Sequence, residues 1–140
     1  MGLMLDTSIL IADERGKFDM TGFLRWFPSP QMLISAIAAS ELLHGIERAR
    51  DSARRALRQH HVEQVLANLA VQPFDLDQAR CHARIWADLA MRGQMIGAHD
   101  LQIAAAALAL GHDLATLNAE EFQRVAGRCV KNFLVILFWS

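Results

Sequence analysis

Short, mainly apolar runs alternate with longer segments of helical periodicity, and this alternation constrains the fold more than any other feature of the sequence. The runs are residues 3–5, 32–34, 69–74 and 114–117, and a polar residue follows each of them. Strands that are apolar throughout belong to parallel sheets that helices cover on both faces. The sequence therefore predicts an α/β domain of three layers, with a central, mostly parallel sheet of four to five strands flanked by helices.

The segments between these runs predict the helices. Apolar residues recur with helical spacing over residues 9–12 and 38–46, from Asp51 to about Asn68, and from Asp75 to near Gly93. Residues 101–110 are almost all apolar, which predicts a helix buried on most sides that ends at Gly111. Shorter helices are predicted at residues 20–27 and 119–122, and a last strand at residues 129–130.

Size and charge exclude several classes of protein. The chain has 140 residues, the size of one domain, and its net charge of −1 is not that of a general polyanion binder. Its two cysteines, without Cys-x-x-Cys spacing, predict neither a disulfide framework nor a zinc site, so we expect a reducing, cytoplasmic setting. We expect neither a signal peptide, because no basic start precedes the first apolar run, nor a membrane helix, because the apolar run 133–139 is too short.

Acidic residues follow the predicted strands in a pattern that indicates a shared site. Asp6 follows the first strand, Glu41 lies in the helix after the second, Asp100 opens the buried helix, and Asn118 and Glu121 follow the fourth strand. Right-handed crossovers bring these positions to one edge of a parallel sheet. Converging carboxylates repel one another unless a cation lies between them, and Mg²⁺ and Mn²⁺ prefer oxygen ligands. The pattern thus predicts a metal site suited to phosphodiester hydrolysis.

Each acid also has a structural interpretation. Asp6 is placed to cap the following helix, and Asp100 to stabilise the first turn of its own helix. Glu41 fits a solvated helix residue and Glu121 one partner of a surface ion pair. Other acidic α/β sites fit less well: a haloacid-type phosphatase requires Asp-x-Asp after the first strand, where position 8 is Ser, and a phosphate-accepting receiver requires paired acids there and a later lysine.

Four segments in the same order resemble the successive motifs of PIN-domain ribonucleases, most closely the VapC-type toxins of bacterial toxin–antitoxin pairs. They are residues 4–8 (MLDTS), 40–45 (SELLHG), 96–105 (IGAHDLQIAA) and 116–122 (TLNAEEF). The resemblance extends from residue 3 to about residue 133. We therefore expect a single PIN-like domain over residues 1–133, followed by an apolar extension, residues 134–140, that departs from the family pattern. Packing on the core, covering a sheet edge and joining a partner are three possible roles for the extension.

The resemblance implies roles for individual residues. Asp6, Glu41 and Asp100 match the three acidic metal ligands of the family. Together with Glu121, they are the expected catalytic residues. The fourth motif matches at Thr116, Asn118 and Glu121, and either Asn118 or Glu121 would complete the site; Thr7 or Ser8 would place a hydroxyl near metal-bound water. The implied reaction is endonucleolytic cleavage of RNA by metal-activated water, with Mg²⁺ or Mn²⁺ as cofactor, leaving a 5′-phosphate and a 3′-hydroxyl.

The resemblance also implies partners: a small VapB-like antitoxin whose C-terminal segment blocks the cleft, a second copy of the chain in a homodimer, and transfer or ribosomal RNA as substrate. The alternative is a catalytically silent module that keeps the fold only to bind a partner. The presence of Asp6, Glu41 and Asp100 together argues against this alternative.

Five arginines crowd together after the Glu41 helix: Arg48, Arg50, Arg54, Arg55 and Arg58. They form either a solvated helix face or a phosphate-binding stripe beside the acidic cleft. For His99, beside Asp100, a structural role is favoured over general-base chemistry.

Overall fold

A parallel sheet of five strands forms the centre of the computed structural model, which describes residues 2–20, 22–23 and 31–125 and the backbone of residues 135–136. The strands are β1 (Leu3–Leu5), β2 (Met32–Ser35), β3 (Ala70–Gln72), β4 (Asp113–Ala115) and β5 (Val135–Ile136). Their order across the sheet is β3-β2-β1-β4-β5, and every neighbouring pair is parallel. The predicted fold class is confirmed.

Six helices connect and flank these strands in the described part of the chain. They are α1 (Thr7–Glu14), α2 (Ala36–Arg48), α3 (Ser52–Asn68), α4 (Leu76–Arg92), α5 (Ala98–Leu110) and α6 (Ala119–Gln123). Side chains cap three of them at the N-terminus: Ser35 caps α2, Asp51 caps α3 and Asp75 caps α4. Gly93 and Gly111 end α4 and α5 with φ values of 63° and 67°, in the left-handed region where a residue without Cβ is favoured.

The core lies around β1 and α5. All three residues of β1 are buried, and α5 buries Leu101, Ile103 and residues 104–107 against α2, α4, β4 and α6. Residues 104–107 are all alanine, and with such small side chains α5 packs closely against α4. Because α5 is fixed in this way, the position of Asp100 in its first turn is fixed as well.

Two strand boundaries differ from the predicted ones. The third strand covers only Ala70–Gln72 because Pro73 has no N–H to continue the ladder. The fourth begins at Asp113 and ends at Ala115, so the prediction of strand at residues 116–117 is wrong. The three-residue β1 sets this limit: Leu5 pairs with Ala115, and the Asp6 N–H donates the next hydrogen bond, 2.9 Å long, to the Ala115 carbonyl.

The extension contributes an edge strand. Val135–Ile136 pairs with Leu114 and Ala115 of β4, so covering a sheet edge is the role observed for these two residues. The predicted helix at residues 20–27 falls mostly, and the strand at residues 129–130 entirely, outside the described residues. None of the described helices is long and apolar enough to cross a membrane.

Candidate active site

The site lies where β1 and β4 end side by side. Asp6 follows β1 and is 3% exposed, and Thr116 follows β4 and is fully buried. Asp6 has the extended backbone of a cap residue, but its side chain does not cap α1. Its Oδ2 instead accepts hydrogen bonds from the hydroxyls of Ser8 and Thr116, each 2.7 Å long. The capping interpretation of Asp6 is therefore wrong.

Backbone groups orient both hydroxyls. The N–H of Leu117 donates to Ser8 Oγ at 3.0 Å, and the N–H of Asn118 donates to Thr116 Oγ1 at 2.9 Å. With their oxygens accepting from the backbone, the two hydroxyls direct their hydrogens at Asp6. Among the described residues no group donates to the second oxygen, Oδ1, so Asp6 keeps one carboxylate oxygen available to a ligand.

Glu41 reaches the same site from α2. Thr7 Oγ1 donates to Glu41 Oε1 at 2.9 Å, and His99 Nδ1 lies 3.6 Å from Glu41 Oε2. The neighbours of Glu41 in α2, Ala38, Ala39 and Leu42, are buried, and Glu41 itself is only partly exposed. Contacts with Thr7 and His99 therefore fix the Glu41 side chain, which is not a freely solvated helix residue.

Asp100 and Glu121 form an acid pair around Gly97. A Cβ on Gly97 would lie 3.3 Å from Asp100 Oδ2 and 3.8 Å from Glu121 Oε2, so the glycine leaves room for both carboxyl groups. The amide of Asn118 contacts Asp100 Oδ2 at 3.5 Å. Glu121 Oε2 is buried and has no hydrogen-bond partner in the described part of the chain. A proton on Asp100, the backbone N–H of Gly97 and the side chain of Asn118 are the hydrogen-bond donors to the Glu121 carboxyl group.

The electrostatics of this pair favour one shared proton. Burial, the hydrogen bond with Glu121 and the charges of Asp6, Glu121 and Glu41 raise the pKa of Asp100 to about 8. Accepting that proton lowers the pKa of Glu121. The two opposite shifts favour a state in which Asp100 carries the shared proton and Glu121 is ionised.

The donor set fits a hard divalent cation, although the described side chains do not form a finished cage. No three His, Cys, Asp or Glu side chains of residues 2–20, 22–23 and 31–125 are arranged to hold a metal ion as they stand. The site nevertheless offers carboxylate oxygens, the ligands that Mg²⁺ and Mn²⁺ prefer. They are Asp6 Oδ1, the partly exposed carboxylate of Glu41, and Glu121 Oε2, which has no hydrogen-bond partner among the described residues. In the free protein, the hydrogen bonds from the hydroxyls and the proton shared by Asp100 and Glu121 reduce the repulsion between the carboxylates.

The five clustered arginines do not form a single stripe. Arg58 is turned inward, with Nε 3.2 Å from Glu14 Oε1 and Nη1 donating to the Gly45 carbonyl at 2.8 Å. Arg55 pairs with Glu47 at 3.3 Å. Arg48 and Arg54 line grooves near Glu41 and α1, and Arg50 is exposed between α2 and α3.

Sequence reasoning missed one contributor to the site, an arginine clamp. Arg92, at the end of α4, donates to Asp88 at 2.7 Å and to the Arg124 carbonyl at 2.7 Å, and Arg124 donates to the Met95 carbonyl at 3.1 Å. These contacts connect Arg124, which directly follows α6, to the end of α4 and to the loop before Gly97. α6 itself carries Glu121. No local pattern marks it, because its partners lie about thirty residues apart along the chain.

Comparison with known proteins places this geometry in a family. The family model described as "PIN domain" matches residues 3–128. A relative from Rickettsia felis named Ribonuclease VapC1 is 39% identical over 127 residues, covering 91% of this chain and 92% of the relative. The relative from Shigella flexneri named tRNA(fMet)-specific endonuclease VapC is 30% identical and covers 89% and 92% of the two chains. A solved structure of DNA-bound VapBC from Salmonella typhimurium superposes with a TM-score of 0.82 at 28% identity, covering 97% of each chain.

The acid pair predicts a pH-dependent stability in the absence of divalent metal. The pKa of Asp100 is raised on folding, so the stabilisation due to its proton is fully present below the unfolded-state pKa and is lost as pH rises through about 8. In Asp100→Asn the amide keeps a donor for Glu121 at every pH. Denaturant unfolding with chelator from pH 5 to 9 should show the wild type losing stability relative to this variant. The control Asp77→Asn, an exposed site on α4, should follow the wild type; parallel curves for Asp100→Asn would contradict the account.

The clamp predicts a local effect of Arg92→Ala. Without its contact to the Arg124 carbonyl, α6 is held less firmly, so Glu121 and Asp100 should separate and the pKa of Asp100 should fall toward its usual range. Carboxyl chemical shifts followed through a pH titration measure this directly. An unchanged pKa of Asp100 in a folded Arg92→Ala protein would exclude a positioning role, and Arg80→Ala on the same helix is the matched control.

Proposed function

Because the chain belongs to the PIN domain family and, within it, to the VapC ribonucleases, we propose that it is a metal-dependent endoribonuclease and the toxin of a type II toxin–antitoxin pair. The observation that carries this proposal is the gathering of Asp6, Glu41, Asp100 and Glu121 beside the ends of two adjacent strands. Two hydroxyls donate to Asp6, one hydroxyl donates to Glu41, and Asp100 forms a hydrogen bond with Glu121. Such a cluster of acids is costly to keep together unless a cation uses it.

We assign Asp6, Glu41 and Asp100 as ligands of a Mg²⁺ or Mn²⁺ ion, with Glu121 as the fourth acid. A bound divalent cation would neutralise phosphate charge and lower the pKa of water. The chain's own residues prepare the site: Ser8 and Thr116 fix the Asp6 carboxylate, and Thr7 with His99 orients Glu41.

Of the two candidates in the fourth motif, Glu121 rather than Asn118 completes the acid set in this proposal. Glu121 places a buried oxygen without a fixed donor beside Asp100, whereas the Asn118 side chain contacts Asp100 as an amide and orients it. Asp100 must release its proton when a cation binds, because the proton and the cation compete for the same oxygens. Once Asp100 has lost this proton, it no longer donates a hydrogen bond to Glu121, and the Glu121 carboxylate would become available as a ligand.

The partner of this chain, in this proposal, is a VapB-like antitoxin that occludes the acidic site. The Salmonella structure is of a VapBC complex, and the toxin-like chain in it aligns with 97% of this one. We propose a structured RNA as substrate, either transfer or ribosomal RNA, in line with the name of the Shigella relative, a tRNA(fMet)-specific endonuclease.

The test of the activity is cleavage of bulk transfer RNA and ribosomal RNA by purified protein freed of antitoxin. Wild type should cut with Mg²⁺ or Mn²⁺ and not with chelator. Asp6→Asn should lose about a thousandfold in rate, since removing a ligand costs several kcal/mol of transition-state stabilisation and each 1.4 kcal/mol is tenfold. Asp77→Asn is the control for loss of one surface carboxylate. Equal cleavage by Asp6→Asn would contradict the assignment, and binding of antitoxin without any cleavage would favour a silent partner-binding module.

The assignment of Glu121 predicts different behaviour for two neighbouring variants. Mn²⁺ should raise the melting temperature of the wild type through preferential binding to the folded state. Glu121→Gln should largely lose this shift because it lacks the fourth carboxylate. Asn118→Ala should keep most of it, because it removes only an orienting amide. A larger loss in Asn118→Ala than in Glu121→Gln would reverse the assignment.

A further inference from the structure

Two adjoining grooves lead away from the acidic site along the C-terminal end of α1. The first lies between α1 and α2 and includes Glu41, Arg15 and Arg48 in its lining. The second lies between α1 and α3 and includes Arg15, Arg54 and His61. The two share Glu14, Arg15 and Arg58, so they form one continuous path. Glu41 belongs both to this path and to the acidic site, where Thr7 and His99 contact it.

Glu14, which lines both grooves, already has a cationic partner. Its Oε1 lies 3.2 Å from Arg58 Nε, and nearby Asp13 Oδ2 lies 3.1 Å from His61 Nε2. Arg15, Arg48 and Arg54 are exposed, and in the described part of the chain none of their side chains forms a hydrogen bond or an ion pair. Three unpaired guanidinium groups therefore line a path that ends at the acidic site.

The position of Arg54 is not explained by stability of its helix. Arg15 and Arg48 lie at helix C-terminal ends, where positive charge is favourable, but Arg54 lies in the first turn of α3, where it is unfavourable. The N-cap Asp51 supplies one negative charge at this end, and α3 itself has no acidic residue in its first turn. An anion bound in the groove would offset the charge of Arg54.

We propose that Arg15, Arg48 and Arg54 form a phosphate-binding groove that holds one flank of a single RNA strand while its scissile phosphate lies at the acidic site. This deepens the proposed nuclease function and rests on it. Guanidinium groups bind phosphate oxygens through paired N–H donors. The net charge of −1 gives no general attraction for a polyanion, and the acids of the site repel it. A local row of free arginines next to Glu41 supplies the missing attraction.

The proposal separates the clustered arginines into two groups. Arg58 and Arg55 are neutralised by Glu14 and Glu47 and contribute packing and local ion pairs rather than phosphate contacts. Arg48 and Arg54 bind phosphate, together with Arg15 from a different helix end, about thirty residues or more away in sequence. Arg50 lies outside both grooves.

The experiment measures binding of a short, fluorescently labelled single-stranded RNA by anisotropy, in chelator, over a series of NaCl concentrations. The Arg15→Ala/Arg54→Ala protein is compared with wild type and with Arg80→Ala/Arg84→Ala, a control that removes the same charge from the exposed face of α4. Each lost phosphate contact should reduce the slope of log K against log salt by about 0.7 for single-stranded nucleic acid, so the groove variant should lose about 1.4. The control should keep the wild-type slope, and melting curves verify that both variants fold.

Several outcomes would overturn the groove. They are an unchanged slope in Arg15→Ala/Arg54→Ala, an equal change in the control, no binding of RNA by the wild type, and loss of antitoxin binding with RNA binding intact, which would make the groove a protein-docking surface. Failure of the nuclease proposal is distinguishable, because binding is measured without metal. A shifted slope together with Mg²⁺-dependent cleavage that persists in Asp6→Asn would support the groove and contradict the acidic active site.

Discussion

Four carboxyl groups converge beside the ends of β1 and β4, and the repulsion between them determines how the surrounding residues are arranged. The sheet creates the problem: because Leu5 pairs with Ala115 and the Asp6 N–H bonds to the Ala115 carbonyl, the residues after both strands are forced side by side. Two hydroxyls hold Asp6, one hydroxyl holds Glu41, and one proton holds Asp100 against Glu121. Gly97 leaves the space that the last pair requires. Each device reduces repulsion in the free protein while keeping oxygen atoms available to a cation.

The arginines of the described chain have two different roles. Arg58 and Arg92 are structural: one joins α3 to α1 and α2, and the other joins α4 to the segment after α6. Three arginines whose side chains have no partner in the described chain, Arg15, Arg48 and Arg54, lie instead along the path that begins at Glu41. A molecule of nearly zero net charge can in this way present an acidic site and a row of arginines that leads to it.

Much of the fold could be predicted from the sequence, because its signals are local. Buried parallel strands are continuous apolar runs, and the capping residues Ser35, Asp51 and Asp75 stand directly before their helices. The end of β3 is marked in the sequence by Pro73, whereas the end of β4 is set by its three-residue partner strand β1. A limit of the second kind depends on the partner strand and leaves no local signal.

The candidate site was predictable as a set of residue types and less so as a set of contacts. Asp6, Glu41, Asp100 and Glu121 follow strands or lie on buried helices, which indicated a common location. The capping interpretation of Asp6 failed because a hydroxyl 110 residues away competes for its carboxylate. The division of the arginines was likewise hidden, since Glu14 pairs with Arg58 across 44 residues of chain. Long-range partners of this type leave no spacing pattern.

Calorimetric titration of Mn²⁺ into the antitoxin-free protein, in buffers with different ionisation enthalpies, tests the central claim most directly. The claim is that one proton occupies the acid cluster until a divalent cation replaces it. We expect binding at pH 6.5 to release close to one proton and binding well above pH 8 to release almost none, and we expect Asp6→Asn to bind the ion much more weakly. Binding without proton release at pH 6.5, or equal affinity in Asp6→Asn, would contradict it.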